Sequence, residues 1–429
     1  MELNDTIDIS DIQEFLPTWI KDLELIKNPF DLNNLRYLEE HFDKTTKKRN
    51  FMFPENIIKF VYELNNLNLD DWKDLVIWIW TGWTIAMEKN ENWKLEPKLD
   101  FDKILDNVWW NLKEKYKVKW FDALSTDSSQ LEINDIADLA IVISYIWKHM
   151  WNNLKYSFAG FLIVHWTDTM PNSSNYLAMM LWDKTPFNVV HTWAQKPIWF
   201  WYNDAGDNIR DSLHLLKILK NNNMAEFWTV MWWVALQTVW ITKIDDTNAE
   251  AMWTKLHKKM IDFRTLPDEN YKFGIGYRRK WNDIHFKPNI FRWINSVLRI
   301  ISDISANIEQ ILVSMKLNST KAVLITTYWA STADVNVIKA IWEYAKKVNM
   351  LVFSISPVNS KPNNDTYESS DSLKEYWITP LYMTNHSANA KIMLAMAIYW
   401  EYNTSKIIDF ITKDYIWEIP NEQTRLIKN

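Results

Sequence analysis

The sequence has no cysteine in 429 residues. That absence removes disulfides, thiolate metal ligands and cysteine nucleophiles together, and it fits a reducing, cytoplasmic setting. No run of about 18 uninterrupted apolar residues occurs, so a membrane span is not expected. The opening MELNDTIDISD is acidic and has none of the basic, apolar and cleavage regions of a secretory signal. Positive charge is not in excess: the formal net charge is −6, which disfavours a nucleic-acid partner. The short YRRK at 277–280 reads as a solvated face. The eight histidines show no HxxxH or other metal-ligand spacing, so neither a metal nor another cofactor is expected.

Glycine is the scarcest residue for its usual role. A chain of this length carries roughly 30 glycines at the ordinary ~7%, whereas this one has 5, beside 28 tryptophans. Many of those tryptophans stand where an indole is least welcome. They are paired at Trp109–Trp110 and Trp232–Trp233, and they flank turns at Trp78, Trp80, Trp83, Trp166 and Trp193. The expectation is that most of them represent glycines, encoded by UGA and displayed as tryptophan. The alternative is a protein rich in true tryptophan, with stacking platforms for sugars or bases.

What remains is ordinary globular material, 48% hydrophobic and 24% charged, long enough for two or three units with sizeable cores. IQEFLPTWIKDLELI and PENIIKFVYELNNL carry apolar residues at helical spacing, with Pro54 suited to a first helical turn. Residues 1–71 therefore read as a helical extension. From Asp74 onward short apolar runs take over: LVIWIW, FLIVH, FNVVHT, TVMWWVAL, AVLITTY and MLVFSIS. Between them lie amphipathic stretches such as NDIADLAIVISYIWKHM, DNIRDSLHLLKILK and ADVNVIKAIWEYAKKV. Strands alternating with helices predict mostly parallel sheets flanked by helices, a two-domain α/β fold. RTLPDENYKFGIGYRRKWNDIHFKP, around 263–288, breaks the periodicity. It separates an α/β domain at 72–270 from a smaller α/β domain at 289–429, opened by a long helical pattern, NIFRWINSVLRIISDISANIEQILVSM. SPVNSKPNNDTYESSDS at 356–372 reads as a loop.

Two motifs follow directly on apolar runs. TGWTIAM (Thr81–Met87) follows LVIWIW, and HWTDTM (His165–Met170) follows FLIV. The carboxyl ends of parallel strands are where α/β folds bind ligands. Threonine hydroxyls there supply a nucleophile when a base is near. Each stretch alone also reads as a strand-end turn or a helix cap. STDSSQL (Ser125–Leu131) is a hydroxyl-rich loop before a helix. TWAQKP (Thr192–Pro197) runs on to NDAGDN (Asn203–Asn208). In WITKIDDTNAEAM, Lys243 stands among Asp245, Asp246 and Thr247.

In this order and spacing the stretches resemble the L-asparaginase family, the bacterial-type threonine amidohydrolases, whose signatures are TGGTIA and HGTDTM. Both match once Trp83 and Trp166 are read as glycine. The closing EYWITPLYMTNHSANAKIMLAMA resembles the family's last helical region, so the resemblance spans roughly residues 72–415. It implies an asparaginase-like fold and hydrolysis of the side-chain amide of asparagine, or of glutamine, to the acid and ammonia. It also implies an active site completed at a contact between copies, hence a homodimer or homotetramer. The nucleophile falls on Thr84, the second active-site threonine and its aspartate on Thr167 and Asp168, and the lysine on Lys243. The substrate-binding serine falls on Ser128, with Ser129 beside it, while Trp83 and Trp166 would border the substrate. The family's mobile-loop tyrosine has no counterpart before Tyr116, and its second-domain glutamate is not assigned, Glu368 in the 356–372 loop being a candidate. His165 reads as structural.

Two other readings share these residues. One is the amidase subunit of a tRNA-dependent amidotransferase, against which the helical extension argues, because that subunit begins with a β-rich domain. The other is a non-catalytic binding protein whose true tryptophans fill the cleft.

Overall fold

The computed structural model describes residues 54–67, 73–81, 87–89, 95–97, 112–123, 131, 133–165, 169–181, 186–194, 196, 198, 203–231, 234–238, 260–262, 297–301, 307–317, 321–328, 333–356, 373, 375–376, 378–398 and 404–413. Two compact units emerge. The first takes in residues 1–173, 183–237 and 260–292; the second takes in 174–182, 238–259 and 293–429. Of the helical extension, the described part is α1 (Pro54–Asn65), with Pro54 at its first position, where the missing N–H costs nothing. IQEFLPTWIKDLELI, the break at 263–288 and the loop beyond Ser356 up to 372 lie outside the described residues.

The first unit is built on a seven-stranded sheet. Its strands are β1 (Asp74–Trp80), β4 (Tyr116–Asp122), β5 (Phe158–Val164), β6 (Val189–Thr192), β7 (Phe227–Met231), β8 (Val234–Gln237) and β9 (Met260–Asp262), in the order β4-β1-β5-β6-β7-β8-β9. The pairings from β4 to β7 are parallel, and those of β7–β8 and β8–β9 antiparallel. A small antiparallel ribbon, β2 (Met87–Lys89) with β3 (Leu95–Pro97), and a short helix α2 (Leu112–Lys115) precede β4. Every residue of β5, and all of β1 after Asp74, is buried. That explains why these strands read as unbroken apolar runs, since helices cover both faces of a parallel sheet.

The helices of this unit are α3 (Ile133–His149), α4 (Asn152–Ser157) and α6 (Ala205–Asn221), while α5 (Met170–Leu181) belongs to the second unit from Ser174 onward. Helix α6 presents Ile209, Leu213, Leu216 and Leu219 at helical spacing to Val76, Leu162, Val164, Val190 and Val230, and each is fully buried or nearly so. Burial of such side chains is worth about 1.5–3 kcal/mol each. At the helix end, Lys220 Nζ bonds to Asp74 Oδ1 and Ser157 O, pinning α6 to the start of β1. Gly160 in β5 has φ +150°, and a Cβ there would stand 2.5 Å from Asn188 O and 2.6 Å from Leu216 Cδ2. Only glycine lets strand and helix approach this closely.

The second unit contains a four-stranded sheet, wholly parallel, of β10 (Val297–Ile301), β11 (Ala322–Thr326), β12 (Leu351–Ile355) and β13 (Thr379–Leu381), in that order. Its helices are α7 (Ile308–Leu317), α8 (Val335–Val348), α9 (Asn385–Ile398) and α10 (Thr404–Thr412). Helix α8 is capped at both ends. Asp334 accepts hydrogen bonds from the N–H groups of Asn336 and Val337, and Asn349 takes the left-handed conformation after the last turn, φ 53°.

Two readings need correction. The long helical pattern over 289–315 contains strand β10 at Val297–Ile301, and helix begins only at Ile308. VLRII pairs along all of β11, and β-branched residues suit a buried strand better than a helix. TVMWWVAL is not one strand. Met231 pairs with Val234, so β7 turns back into β8 through a two-residue connection, Trp232–Trp233.

Candidate active site

The chain passes from β1 outward to β4, then crosses back to β5 on the other side of β1, and moves away from there to β6 and β7. The strand order thus reverses between β1 and β5. In open α/β sheets a ligand crevice opens at that reversal, outside the carboxyl ends of the strands. TGWTIAM leaves the carboxyl end of β1, and HWTDTM leaves the carboxyl end of β5. Both motifs are therefore anchored at the switch point, on adjacent strands.

The anchoring is detailed on the flanks. Thr81 N–H donates to Val164 O at 3.1 Å, and Thr81 Oγ1 donates to the same carbonyl at 2.9 Å. His165 N–H donates to Thr192 O at 2.9 Å, and Ala123 N–H to Trp80 O at 2.9 Å. The ladder thus continues one residue past the strands, ordering the exits after β4, β1, β5 and β6. Thr192 repeats the device, its Oγ1 donating to Val230 O at 3.0 Å. Thr81 and Thr192 are both fully buried. The Thr81 hydroxyl gives the Val164 carbonyl a second donor, and the Thr192 hydroxyl supplies one to Val230. In sequence, STDSSQL falls between Ala123, just after β4, and the start of α3.

Helix α5 begins two residues after Asp168, with Ser173 N–H donating to Thr169 O at 2.9 Å. Thr167 and Asp168 accordingly precede a helix N-terminus, whose partial positive charge favours anions. Below the β6 exit, NDAGDN forms a brace. Asp204 Oδ1 accepts from Lys196 N–H at 2.9 Å, and Asn208 Nδ2 donates to Trp193 O at 2.8 Å and to Asp204 Oδ2 at 3.2 Å. This holds the turn after β6 against the first turn of α6.

The eight site residues read from the sequence, namely Trp83, Thr84, Ser128, Ser129, Trp166, Thr167, Asp168 and Lys243, lie outside the described residues. Glu368 does as well. What is described is the set of three strand ends that precede the first seven, those of β4, β1 and β5, which are neighbours in the sheet. Lys243 follows β8 and Thr238 in sequence.

Two buried titratable groups near this edge, Asp122 and His191, escape sequence reasoning. Asp122 ends β4, and burial pushes its carboxyl up to about 6. Its Oδ1 is buried and accepts no hydrogen bond from the described residues. His191, in β6, is held neutral, its pKa lowered to about 3 by burial and then by neighbouring His165. His165 is itself buried, consistent with a structural part in its motif. The alternation of β4 and β6 makes both positions visible as strand residues, but no short motif marks either as buried. Among the described residues, no group of three or more His, Asp or Glu could hold a metal ion, and no helix is long and apolar enough to cross a membrane.

Comparison with known proteins agrees with this layout. Residues 75–267 match the family described as Asparaginase, N-terminal. No curated protein sequence matches the chain. Among solved structures, the thermostable L-asparaginase from Thermococcus kodakarensis superposes with a TM-score of 0.61 at 18% identity, covering 81% of this chain and 99% of that one. A probable cytoplasmic L-asparaginase from Campylobacter jejuni gives 0.60 at 17% identity, covering 80% and 100%. L-asparaginase I from Vibrio cholerae gives 0.58 at 15% identity, covering 81% and 100%. The fold is that of the L-asparaginases, and residues 75–267 are similar to the N-terminal domain of the asparaginase family.

Proposed function

We propose that the protein hydrolyses the side-chain amide of L-asparagine, with glutamine as the homologous substrate, through a threonine nucleophile. The observation that carries this reading is the departure of both threonine motifs from adjacent strands at the sheet's switch point, tied together through Thr81 and Val164. Thr84 Oγ attacks the amide carbon, and its proton passes to the leaving nitrogen as ammonia departs. Water then cleaves the resulting ester, releasing aspartate and restoring the hydroxyl. Lys243, as a neutral amine, accepts a proton from Thr167 or from the attacking water. Asp168 holds the substrate's ammonium group, and Ser128 and Ser129 hold its carboxylate. Backbone N–H groups beside Thr84 and Thr167 face the tetrahedral oxyanion, a contact worth about 3–4 kcal/mol per donor lost. The working form is a homodimer or homotetramer.

The same reading requires glycine at positions 83 and 166, and we propose UGA decoding as glycine for most of the 28 tryptophans. The β7–β8 hairpin supports it independently. Its two-residue connection is Trp232–Trp233, and such connections favour turns with φ > 0, the province of glycine and asparagine. Trp78 and Trp80 are less diagnostic, being buried in β1 with rings stacked 5.9 Å apart.

The test is ammonia release from asparagine and glutamine by chains carrying glycine at 83 and 166, with and without Thr84→Ala. Thr84→Ala is expected to lower kcat by about 10³-fold or more. Equal rates would remove Thr84 as nucleophile. No release by the parent chain, but release after a tRNA-binding partner is added, would favour the amidotransferase subunit instead.

A further inference from the structure

Helix α1 precedes the residues matched to the asparaginase family, yet it is built into the first unit. Ile58, Val61 and Leu64 are buried along one face, while Lys59 and Glu63 are exposed on the other. Near its middle, the Phe60 ring lies 5.3 Å from the ring of Phe121. Phe121 is followed by Asp122 and Ala123, where β4 ends beside Trp80. At its end, Asn65 acts as a peptide mimic: Nδ2 donates to His149 O at 2.9 Å, and Oδ1 accepts from Trp151 N–H at 3.0 Å. His149 is the last residue of α3. Helix α1 therefore grips both β4 and α3, the two elements joined by the stretch that includes Ser128 and Ser129.

We infer that α1 is a buttress setting the spacing between the carboxyl end of β4 and helix α3, with Phe60 and Asn65 as positioning residues for substrate binding. The inference rests on the proposed role of Ser128 and Ser129. An edge strand has a neighbour on one side only, and β4 is the edge strand of this sheet, so β4 depends on face contacts such as Phe60 for its place. The amide of Asn65 supplies a carbonyl and an N–H at a helix end with the partners they need.

The experiment compares Asn65→Ala and Phe60→Leu, which stays apolar but loses the ring that meets Phe121, with Lys59→Ala, which removes only a solvent-exposed pair (3.9 Å) on the same helix. Full-length chains with glycine at 83 and 166 are used. Both positioning variants should raise KM for asparagine about 3- to 10-fold, the effect of losing roughly one hydrogen bond's worth of order, with kcat within about twofold. Amide exchange should accelerate at 121–123 and 131–136 and stay unchanged in β7, and Lys59→Ala should change neither. A lowered melting temperature with KM and exchange unchanged overturns the inference. If the parent chain releases no ammonia, the hydrolase reading falls; the exchange comparison then decides the buttress by itself, unchanged protection overturning it.

Discussion

Thr81 places both its backbone N–H and its hydroxyl on one acceptor, the carbonyl of Val164. Thr81 opens one threonine motif and Val164 stands one residue before the other, so a single carbonyl fixes the distance between the two motif exits. Thr81→Val keeps the shape and the backbone bond but removes the hydroxyl donor. A fully buried hydrogen bond lost this way costs about 1–2 kcal/mol, readable in a denaturant midpoint. The activity loss should exceed what stability alone causes, because the exits are free to separate; a variant with full kcat/KM would show that this contact does not govern the site.

The hairpin offers a direct trial of the decoding proposal. Replacing Trp232–Trp233 by Gly-Gly should stabilise the displayed chain, since two-residue hairpin connections favour turns that glycine enters without strain. The natural protein, isolated from its source, should be lighter than the displayed sequence by whole multiples of the tryptophan–glycine mass difference. Intact mass spectrometry reads this. A natural mass equal to that of the displayed chain would end the proposal.

Acid stability should bear the mark of His191. Its folded pKa, about 3, is below the ordinary value of 6.5, so its contribution is complete above pH 6.5 and is lost as pH falls toward 3. The local slope approaches about 1.4 kcal/mol per pH unit for one such group. Asp122 has the opposite sign. Raised from 3.8 to about 6, it contributes most below pH 3.8 and loses that contribution as pH rises through 6. Melting curves from pH 4 to 8 should therefore show His191→Gln flattening the acid limb, and Asp122→Asn raising stability at pH 8 with little change near pH 4.

Gly160→Ala should be severe. Its Cβ would press on a backbone oxygen at 2.5 Å and on Leu216, from a φ that side chains avoid. A loss of about 3 kcal/mol or more is expected, measured by urea unfolding. A mild effect would mean that β5 and β6 can part at Asn188 without consequence.

Much of this architecture is legible in the residues. LVIWIW and FLIV are strands because they are buried on both faces, and ADVNVIKAIWEYAKKV is a helix with its caps spelled out by Asp334 and Asn349. VLRII misleads because apolar residues in unbroken succession fit a helix face and a buried strand equally well; its partner β11 decides. The turn inside TVMWWVAL is hidden for a chemical reason, as two tryptophans occupy positions where turn residues belong. At the site, the motifs locate the threonines along the chain, but their adjacency depends on β5 pairing with β1 across everything between them. The bond from Asn208 to Trp193 O and the grip of Asn65 on His149 run between elements and leave no local pattern.

The sheet order also dictates a schedule. Strand β1 is synthesised first in its sheet, yet it is an internal strand, and its partners are Tyr116–Asp122 and Phe158–Val164. During translation it is a naked apolar ribbon until both have left the ribosome, and the β5 exit gains its own neighbour only when Thr192 follows. Such distant pairing folds slowly and exposes sticky intermediates. Helix α1, made just before β1, is already on hand when Phe121 emerges. Truncated chains ending before Val164 should accumulate as aggregates or chaperone clients rather than as half-active enzyme.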